Sequence, residues 1–359
     1  MQKIQFWTTL ALCLGAINGA NACTGITLKS RDNSVVVART MDWSGAEVSS
    51  MYVIVPRGRI QQSMLPDGKM DGLEFSSLYG YAGIATEQPE FVIDGTNEAG
   101  LSAALFYFPN YGQYEPYNEQ DKDISLADFQ VVSWILSRFA TIDQVKQAIN
   151  EVRIINVDPS ASTVHWRITD VTGRQVVLEI VNGVPHFYEN EIGVLTNSPG
   201  FQWQMTNLNN YVNLHPGTAG PTEFGPINLR AFGSGSGMLG IPGDFTPPSR
   251  FVRAAFFKTY SLEQPNAYNT TLQAFHILNN FDVPLGLQFA VGKAPNNMPA
   301  ATQWTIATDL THRTIYYHTM YNRTIRKIEL DKIDFANIEF QYYPLDETKS
   351  ETIIPVTIK

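Results

Sequence analysis

The chain begins its regular pattern near residue 23, where apolar and polar positions follow the order of a β-hairpin. Residues 24–29 alternate loosely, residues 31–34 are turn formers, and residues 35–40 are rich in β-branched side chains. This order predicts strand, turn and strand. Similar patterns predict further strands at 52–56, 101–108, 163–180 (a hairpin turning at Thr172-Gly173), 184–195, 304–307, 314–320 and 324–330.

Four helices are predicted, three of them from signals at their N-termini. These signals are a capping box at 125–128, a second capping box at 141–144, and two prolines at 247 and 248 ahead of 249–260; the fourth helix is expected over 270–280. Strands and helices come in blocks rather than in strict alternation, which predicts an α+β layered fold. Because no repeat or polar linker interrupts residues 23–359, we expect a single domain there.

The composition supports a large core and argues against nucleic acid as a partner. Of the 359 residues, 44% are hydrophobic, which is ample for a buried core. The formal net charge of −9 is the wrong sign for binding a polyanion.

The first 22 residues have the pattern of a secretory signal peptide. Lys3 gives a positive start, residues 6–14 are apolar, and Ala20-Asn21-Ala22 is an A-x-A cleavage site. The apolar run is too short for a permanent membrane anchor. We therefore expect cleavage after Ala22 and an exported protein, either periplasmic or secreted.

Cleavage would leave Cys23 as the first residue and as the only thiol, because Cys13 lies in the leader. A terminal cysteine offers a thiol nucleophile and an α-amine base on one residue. A cysteine at a cleavage site can instead be acylated, which would make the protein a lipid-anchored binding protein. The residues Ala20-Asn21-Ala22 argue against that alternative, since lipidation sites favour Leu at the first of these positions. A third interpretation is a chance surface cysteine.

Counting along the predicted hairpin places two charges near Cys23. If Asp32-Asn33 is a two-residue loop, paired positions sum to 65 and Cys23 lies opposite Asp42, with Arg39 near the same strand end. A guanidinium favours a thiolate, and a carboxylate orients an amine. Arg39 and Asp42 are three residues apart, so a regular strand would direct them to opposite faces. We therefore expect a bulge or bend after Thr40.

Five ordered blocks resemble the choloylglycine hydrolase family, which contains conjugated bile salt hydrolases and penicillin V acylases. The blocks are Cys23-Thr24-Gly25, residues 38–42, Asp94-Gly95 with 97–101, residues 195–199, and 243–247 with 249–251. The resemblance implies the N-terminal nucleophile hydrolase fold, an αββα sandwich of two antiparallel sheets between helix layers. It also implies hydrolysis of a linear amide by a terminal cysteine.

The resemblance assigns roles to six residues. They are the nucleophile Cys23, the pair Arg39 and Asp42 beside it, the oxyanion-hole side chain Asn197, Arg250 as support of the charged centre, and Tyr107, whose backbone N–H is the second oxyanion donor. Asp94 and Asn97 are interpreted as structural turn residues.

The resemblance leaves two substrate classes open, and both join a bulky apolar acyl group to a small polar amine. Bile salt hydrolases commonly carry Asn where this chain has Tyr107, whereas penicillin V acylases carry Tyr. Conjugated bile salts are nevertheless favoured as the family's namesake substrates. The family often forms tetramers, and residues 210–237 resemble the stretch used for that assembly, so we expect a homotetramer.

No metal or cofactor is expected. The six histidines show no metal-ligand spacing, and His165 and His276 are interpreted as structural residues. A G-x-G-x-x-G match at 235–240 is followed by Pro242, where a dinucleotide site needs a helix, so it predicts a loop.

Overall fold

The chain folds mainly into β-strands, which build two large antiparallel sheets. The structure is a computed structural model that describes residues 23–43, 47–158, 162–289 and 301–358. The predicted signal peptide at 1–22 lies outside the described residues. The strands are β1 (Gly25–Lys29), β2 (Val35–Trp43), β3 (Ser50–Val55), β4 (Ile60–Met64), β5 (Met70–Ser76), β6 (Tyr81–Thr86), β7 (Val92–Asn97), β8 (Ser102–Tyr107), β9 (Ser125–Ala127), β10 (Arg153–Ile155), β11 (Val164–Thr169), β12 (Gln175–Val181), β13 (Val184–Glu189), β14 (Val194–Leu195), β15 (Thr222–Phe224), β16 (Ile227–Leu229), β17 (Ala301–Asp309), β18 (Thr314–Thr319), β19 (Arg326–Glu329) and β20 (Gln341–Pro344).

The two sheets differ in strand number. One sheet has the order β14-β1-β2-β17-β18-β19, and the other has the order β13-β12-β11-β8-β7-β6-β3-β20. Shorter pairs are β4 with β5, β15 with β16, and the parallel pair of β9 with β10. The predicted strands are confirmed, except that residues 184–195 form two strands separated by a turn.

Helices cover the outer face of each sheet. The α-helices of the described residues are α1 (Val131–Arg138), α2 (Ile142–Ala148), α3 (Phe201–Asn207), α4 (Pro247–Tyr260) and α5 (Ala267–Leu278). Helix α1 packs on β7 and β8, whereas α4 packs on β1 and β14 and α5 packs on β1, β2 and β17. The layers are therefore helix, sheet, sheet and helix, which confirms the predicted α+β sandwich. None of these helices combines the length and the apolar character that crossing a lipid bilayer requires.

The core between the sheets is apolar but also contains buried arginines. Trp166, Phe106 and Trp304 are among its largest fully buried side chains, and Arg39 and Arg167 are buried as completely. The sheets approach closely at Gly25, where a Cβ would lie 2.7 Å from the Phe106 ring. A glycine is thus required two residues after Cys23.

One of the two predicted capping boxes is wrong. Ser125 begins strand β9 rather than a helix, and it pairs in parallel with Arg153 of β10. Its hydroxyl donates to the Asp121 carbonyl, and α1 starts only at Val131. A short apolar run fits a strand or a helix equally well, and here the tertiary pairing decides. The second box, at Thr141, is confirmed.

The first hairpin has a register that differs by one residue from the prediction. Ser30 N donates to Ser34 O at 3.0 Å, so three residues form the loop, and Asn33 takes a left-handed conformation with φ of 68°. Asparagine tolerates this conformation, which such a loop requires. Gly25 consequently pairs with Arg39, and paired positions sum to 64. Cys23 therefore lies level with residue 41 rather than with Asp42.

Candidate active site

The sulfur of Cys23 lies against a buried guanidinium. Cys23 is 4% exposed, and Arg39 Nη2 lies 2.8 Å from its Sγ atom. The same guanidinium donates to the Leu105 carbonyl of the opposite sheet and sits 4.3 Å over the Phe106 ring. These contacts fix a positive charge beside the atom that carries the negative charge of a thiolate nucleophile.

The main chain of Cys23 is held by a second buried arginine and by an amide. Arg250, in the first turn of α4, donates through Nη1 to the Cys23 carbonyl and to Thr24 Oγ1, the latter at 2.9 Å. Its Nη2 donates to Asn197 Oδ1 at 2.8 Å. Burial lowers the pKa of Arg250 to about 10, so the group stays charged at neutral pH.

The Cys23 nitrogen donates to Asn197 Oδ1 at 2.9 Å. Because residues 1–22 precede it in this chain, that nitrogen is a peptide N–H, which occupies the place of the α-amine that cleavage would create. Oδ1 thus receives two donors, from Cys23 and Arg250, and Nδ2 donates to the Tyr107 carbonyl at 2.7 Å. An amide carries two hydrogens on Nδ2, so Asn197 can also donate to a substrate oxygen.

Asp42 lies on the face of β2 opposite to Arg39, as a regular strand requires. Its carboxylate accepts from Thr40 Oγ1 at 3.1 Å and from Thr302 Oγ1 at 2.5 Å. Burial raises its pKa to about 6, against the opposing effect of Arg250. Its hydrogen-bonded route toward Cys23 runs through Thr40, whose hydroxyl also accepts from the Thr24 N–H at 3.2 Å, whereas Arg250 acts on it through its charge.

The irregularity that we expected after Thr40 lies in the neighbouring strand instead. Met41 pairs with Trp304 and Asp42 pairs with Thr302, so β17 contains one extra residue at this point. The bulge brings the Thr302 hydroxyl to the carboxylate, and β2 itself keeps its alternation. The expected bend in β2 is therefore wrong.

The backbone of Tyr107 reaches the same place from the eight-stranded sheet. Phe108 N donates to Thr163 O toward β11, so the N–H and C=O groups of Leu105 and Tyr107 point to the other side. On that side the Leu105 carbonyl accepts from Arg39 and the Tyr107 carbonyl accepts from Asn197. Direct contacts therefore join Cys23, Arg39, Asn197, Arg250 and the Tyr107 backbone, while Asp42 is connected to them through the Thr40 hydroxyl.

Sequence reasoning missed several neighbours of these residues. The hydroxyls of Thr24, Thr40 and Thr302 hold Arg250 or Asp42, and hydroxyls in β-strands give no signal of such a role. Arg167 lies near Arg39 in the core, and its guanidinium is 3.5 Å from the Asp94 carboxylate. The signal for Arg167 was present, since it is a charge between Trp166 and Ile168 in a predicted strand.

Asp94 was expected in a turn, and this is wrong. It lies inside β7, fully buried between the sheets, and burial raises its pKa in spite of Arg167 and Arg39. Asn97 is a turn residue as expected, because its Oδ1 accepts from the backbone of Ala99 and Leu101. Across the described ranges, no group of three or more His, Cys, Asp or Glu side chains could hold a metal ion.

The chain shows extensive similarity to known proteins. The family model of linear amide C–N hydrolases of the choloylglycine hydrolase family matches residues 23–348. A bile salt hydrolase/transferase of Clostridium perfringens is 32% identical over 335 residues, which covers 91% of this chain and 98% of that protein.

Solved structures agree with this assignment. The crystal structure of a mutant of conjugated bile acid hydrolase from Clostridium perfringens aligns with a TM-score of 0.80 and 30% identity, covering 93% of this chain and all of that one. Penicillin V acylase from Agrobacterium tumefaciens shares the fold, with a TM-score of 0.70, 21% identity and 88% of each chain covered. These structures confirm the N-terminal nucleophile hydrolase fold. The chain thus belongs to the choloylglycine hydrolase family and is a hydrolase of linear amide C–N bonds.

Proposed function

We propose that this enzyme hydrolyses conjugated bile salts, the glycine and taurine amides of bile acids, with Cys23 as an N-terminal nucleophile. The observation that carries the proposal is the 2.8 Å contact between the Cys23 sulfur and a buried guanidinium, next to the donor group of Asn197. The substrate class is supported by the names of the bile salt hydrolases and the conjugated bile acid hydrolase that the chain resembles over nearly their whole length.

The proposed reaction begins with transfer of the thiol proton to the α-amine of Cys23. The thiolate then attacks the amide carbonyl carbon, and the new negative charge on oxygen is stabilised by Asn197 Nδ2 and the Tyr107 N–H. A preorganised donor of this kind contributes about 3–4 kcal/mol to the step. The ammonium returns its proton to the leaving nitrogen as the C–N bond breaks, which leaves a thioester and a free amine.

Water completes the cycle in the same site. The α-amine takes a proton from water as its oxygen attacks the thioester, and the thiolate leaves and is reprotonated, so the bile acid is released. Arg250 holds the Cys23 carbonyl and Asn197 in place during both steps. Asp42 balances the charge of Arg250, because a carboxyl with a pKa of about 6 is ionised at neutral pH.

The proposal includes export and removal of residues 1–22. The support is the signal-peptide pattern together with the family match, which begins at the residue that follows the predicted cleavage site. Assembly as a homotetramer is also proposed. It is supported by the β15–β16 hairpin, whose residues are all exposed and include Phe224 at 72% and Ile227 at 58%.

Initial rates of amide cleavage on glycocholate, taurocholate and penicillin V test the proposed substrate. We expect both bile salts to be cleaved at least about tenfold faster than penicillin V. Penicillin V is a second candidate because Tyr107 matches the residue of penicillin V acylases. Release of 6-aminopenicillanic acid with negligible cleavage of both bile salts would overturn the proposal in favour of that candidate.

A further inference from the structure

The short segment that carries Asn197 is tied to the eight-stranded sheet at both of its ends. Ahead of Asn197, the Thr196 carbonyl lies 3.1 Å from His165 Nε2. At the other end, Phe201 N donates to Glu179 Oε1 at 2.8 Å. His165 and Glu179 also contact each other, with 3.2 Å between Nδ1 and Oε1. One buried pair therefore anchors both ends of segment 196–201.

The contacts of this pair determine where its protons lie. A carbonyl oxygen only accepts hydrogen bonds, so His165 Nε2 must carry a hydrogen. One further proton lies between Nδ1 and the Glu179 carboxyl, whichever of the two holds it. The pair therefore supplies one donor for Thr196 and one acceptor for Phe201.

The surroundings keep this pair rigid and dry. His165 is completely buried and Glu179 is 3% exposed. The Phe108 ring stacks on the imidazole at a centroid distance of 4.3 Å and an interplanar angle of 8°, and Phe106 meets it edge-on. Burying such a pair costs desolvation that well-packed apolar residues would avoid, so the pair is weak evidence for added stability.

We propose that His165 and Glu179 are positioning residues that set the place of the Asn197 amide relative to Cys23. Neither group is assigned a contact with substrate; both act through the segment that they anchor. The inference rests on the proposed role of Asn197 as an oxyanion donor. Misplacing a catalytic group by 1 Å costs about 100-fold in rate.

The variants His165→Leu and His165→Gln test this role. The leucine side chain cannot donate to Thr196, whereas the glutamine amide can. We expect His165→Leu to lower kcat about 100-fold with KM within about threefold, and His165→Gln to recover at least about tenfold of that loss. The matched control is His318→Leu, which removes another buried strand histidine, one that packs on Phe275 of helix α5; its kcat should stay within about threefold of wild type.

Alkylation by iodoacetamide separates positioning from general damage. That reaction displaces iodide at carbon and builds no oxyanion, so we expect Cys23 to react in His165→Leu at the wild-type rate. If His165→Leu does not fold, Glu179→Gln is used as the test variant instead. Its amide can still accept from Phe201 N, but it cannot hold the proton that lies between Glu179 and His165. An unchanged kcat in a folded variant, or equal losses of kcat and of alkylation rate, would overturn the proposal.

A crystal structure of each variant gives a result that needs no substrate. We expect Asn197 to be displaced from the Cys23 nitrogen in His165→Leu and to keep its place in His165→Gln. An undisplaced Asn197 in His165→Leu would refute the positioning role even if bile salts were not the substrate. Failure of wild-type enzyme to cleave bile salts would instead refute the proposed function alone.

Discussion

The surroundings of Cys23 fall into two groups: its sulfur meets Arg39 between the two sheets, whereas its main chain meets Arg250 of α4 and Asn197. The sulfur side contains one cation near the reacting atom. The main-chain side contains a cation, an amide and the carboxyl of Asp42. The comparison teaches that the charge on sulfur and the geometry of the nitrogen and oxyanion donors are controlled by separate groups. Variants on the two sides should therefore change different measurable quantities.

The largest effect is expected from removing the Cys23 sulfur itself. Cys23→Ala should reduce amide cleavage below detection, because no other thiol remains after residue 22. Product release by chromatography measures the loss, and circular dichroism with thermal unfolding checks the fold. Cleavage above about 1% of the wild-type rate by a folded variant would contradict the assignment of the nucleophile.

On the main-chain side of Cys23, Asn197→Ala should lower kcat about 100- to 1,000-fold, because an oxyanion donor is lost. The iodoacetamide rate of Cys23 should remain within about threefold, since that reaction does not use the donor. Steady-state kinetics and alkylation followed by mass spectrometry give the two values. A parallel fall in kcat and in the alkylation rate would show that Asn197 also controls the reactivity of the sulfur, which would contradict the separation of the two groups of residues.

Asp42→Asn should lower kcat on the order of 100-fold, because Arg250 loses the negative charge that balances it and can shift from its place at Cys23, with the fold preserved. The variant should also change how stability depends on pH. The folded pKa of about 6 exceeds the ordinary value of 3.8, so the native state binds the proton more tightly than the unfolded state does. The free energy of unfolding should therefore fall, by roughly 3 kcal/mol, as pH rises from about 4 to 6.

Urea unfolding at pH 4.5 and pH 7 measures that pH dependence in the wild type and in Asp42→Asn. Replacement by asparagine should remove this part of the decrease, since an amide does not titrate in this range. An identical pH dependence in both proteins would show that Asp42 does not titrate as its burial predicts.

On the sulfur side, Arg39→Leu should slow alkylation of Cys23 about tenfold at pH 7, which corresponds to about 1.4 kcal/mol of lost stabilisation of the thiolate. Arg39→Lys, which keeps a positive charge, serves as the matched control and should retain more of the rate. A rate that is unchanged in Arg39→Leu would mean that the guanidinium does not set the reactivity of the sulfur.

The smallest effect is expected far from both sides, in the exposed cluster of Arg174 and Glu189. Glu189→Gln should lower the free energy of unfolding by less than about 1 kcal/mol and leave kcat unchanged, because exposed ion pairs contribute little. Chemical denaturation and steady-state kinetics check both values. A loss of activity in Glu189→Gln would show that this exposed cluster influences the active site.

The sequence was sufficient for the features that local chemistry determines. The capping box at Thr141 and the prolines at the start of α4 formed the predicted helix starts. The hairpin turning at Thr172-Gly173 also formed where it was predicted, with Gly173 at a positive φ. Each of these signals depends on neighbouring residues alone, so no distant contact could change it.

Features that depend on distant partners could not be predicted. The loop of the first hairpin is a local exception: it has three residues, with Asn33 in a left-handed conformation, where two were predicted, and this shifted the register by one. Ser125 joins a strand because β10 pairs with it from nearly thirty residues away. Thr302 reaches Asp42 through a bulge in β17, a strand that lies 260 residues further along the chain.

The central claim is that one residue, Cys23, provides both a thiol and an unblocked α-amine. The most direct test is the N-terminal mass of the active exported protein, measured together with its rate of amide cleavage. The account predicts a chain that begins at an unmodified Cys23 and loses activity when a single residue is left in front of it. Full activity in a preparation that retains residues 1–22, or that carries a lipid on the Cys23 nitrogen, would contradict it.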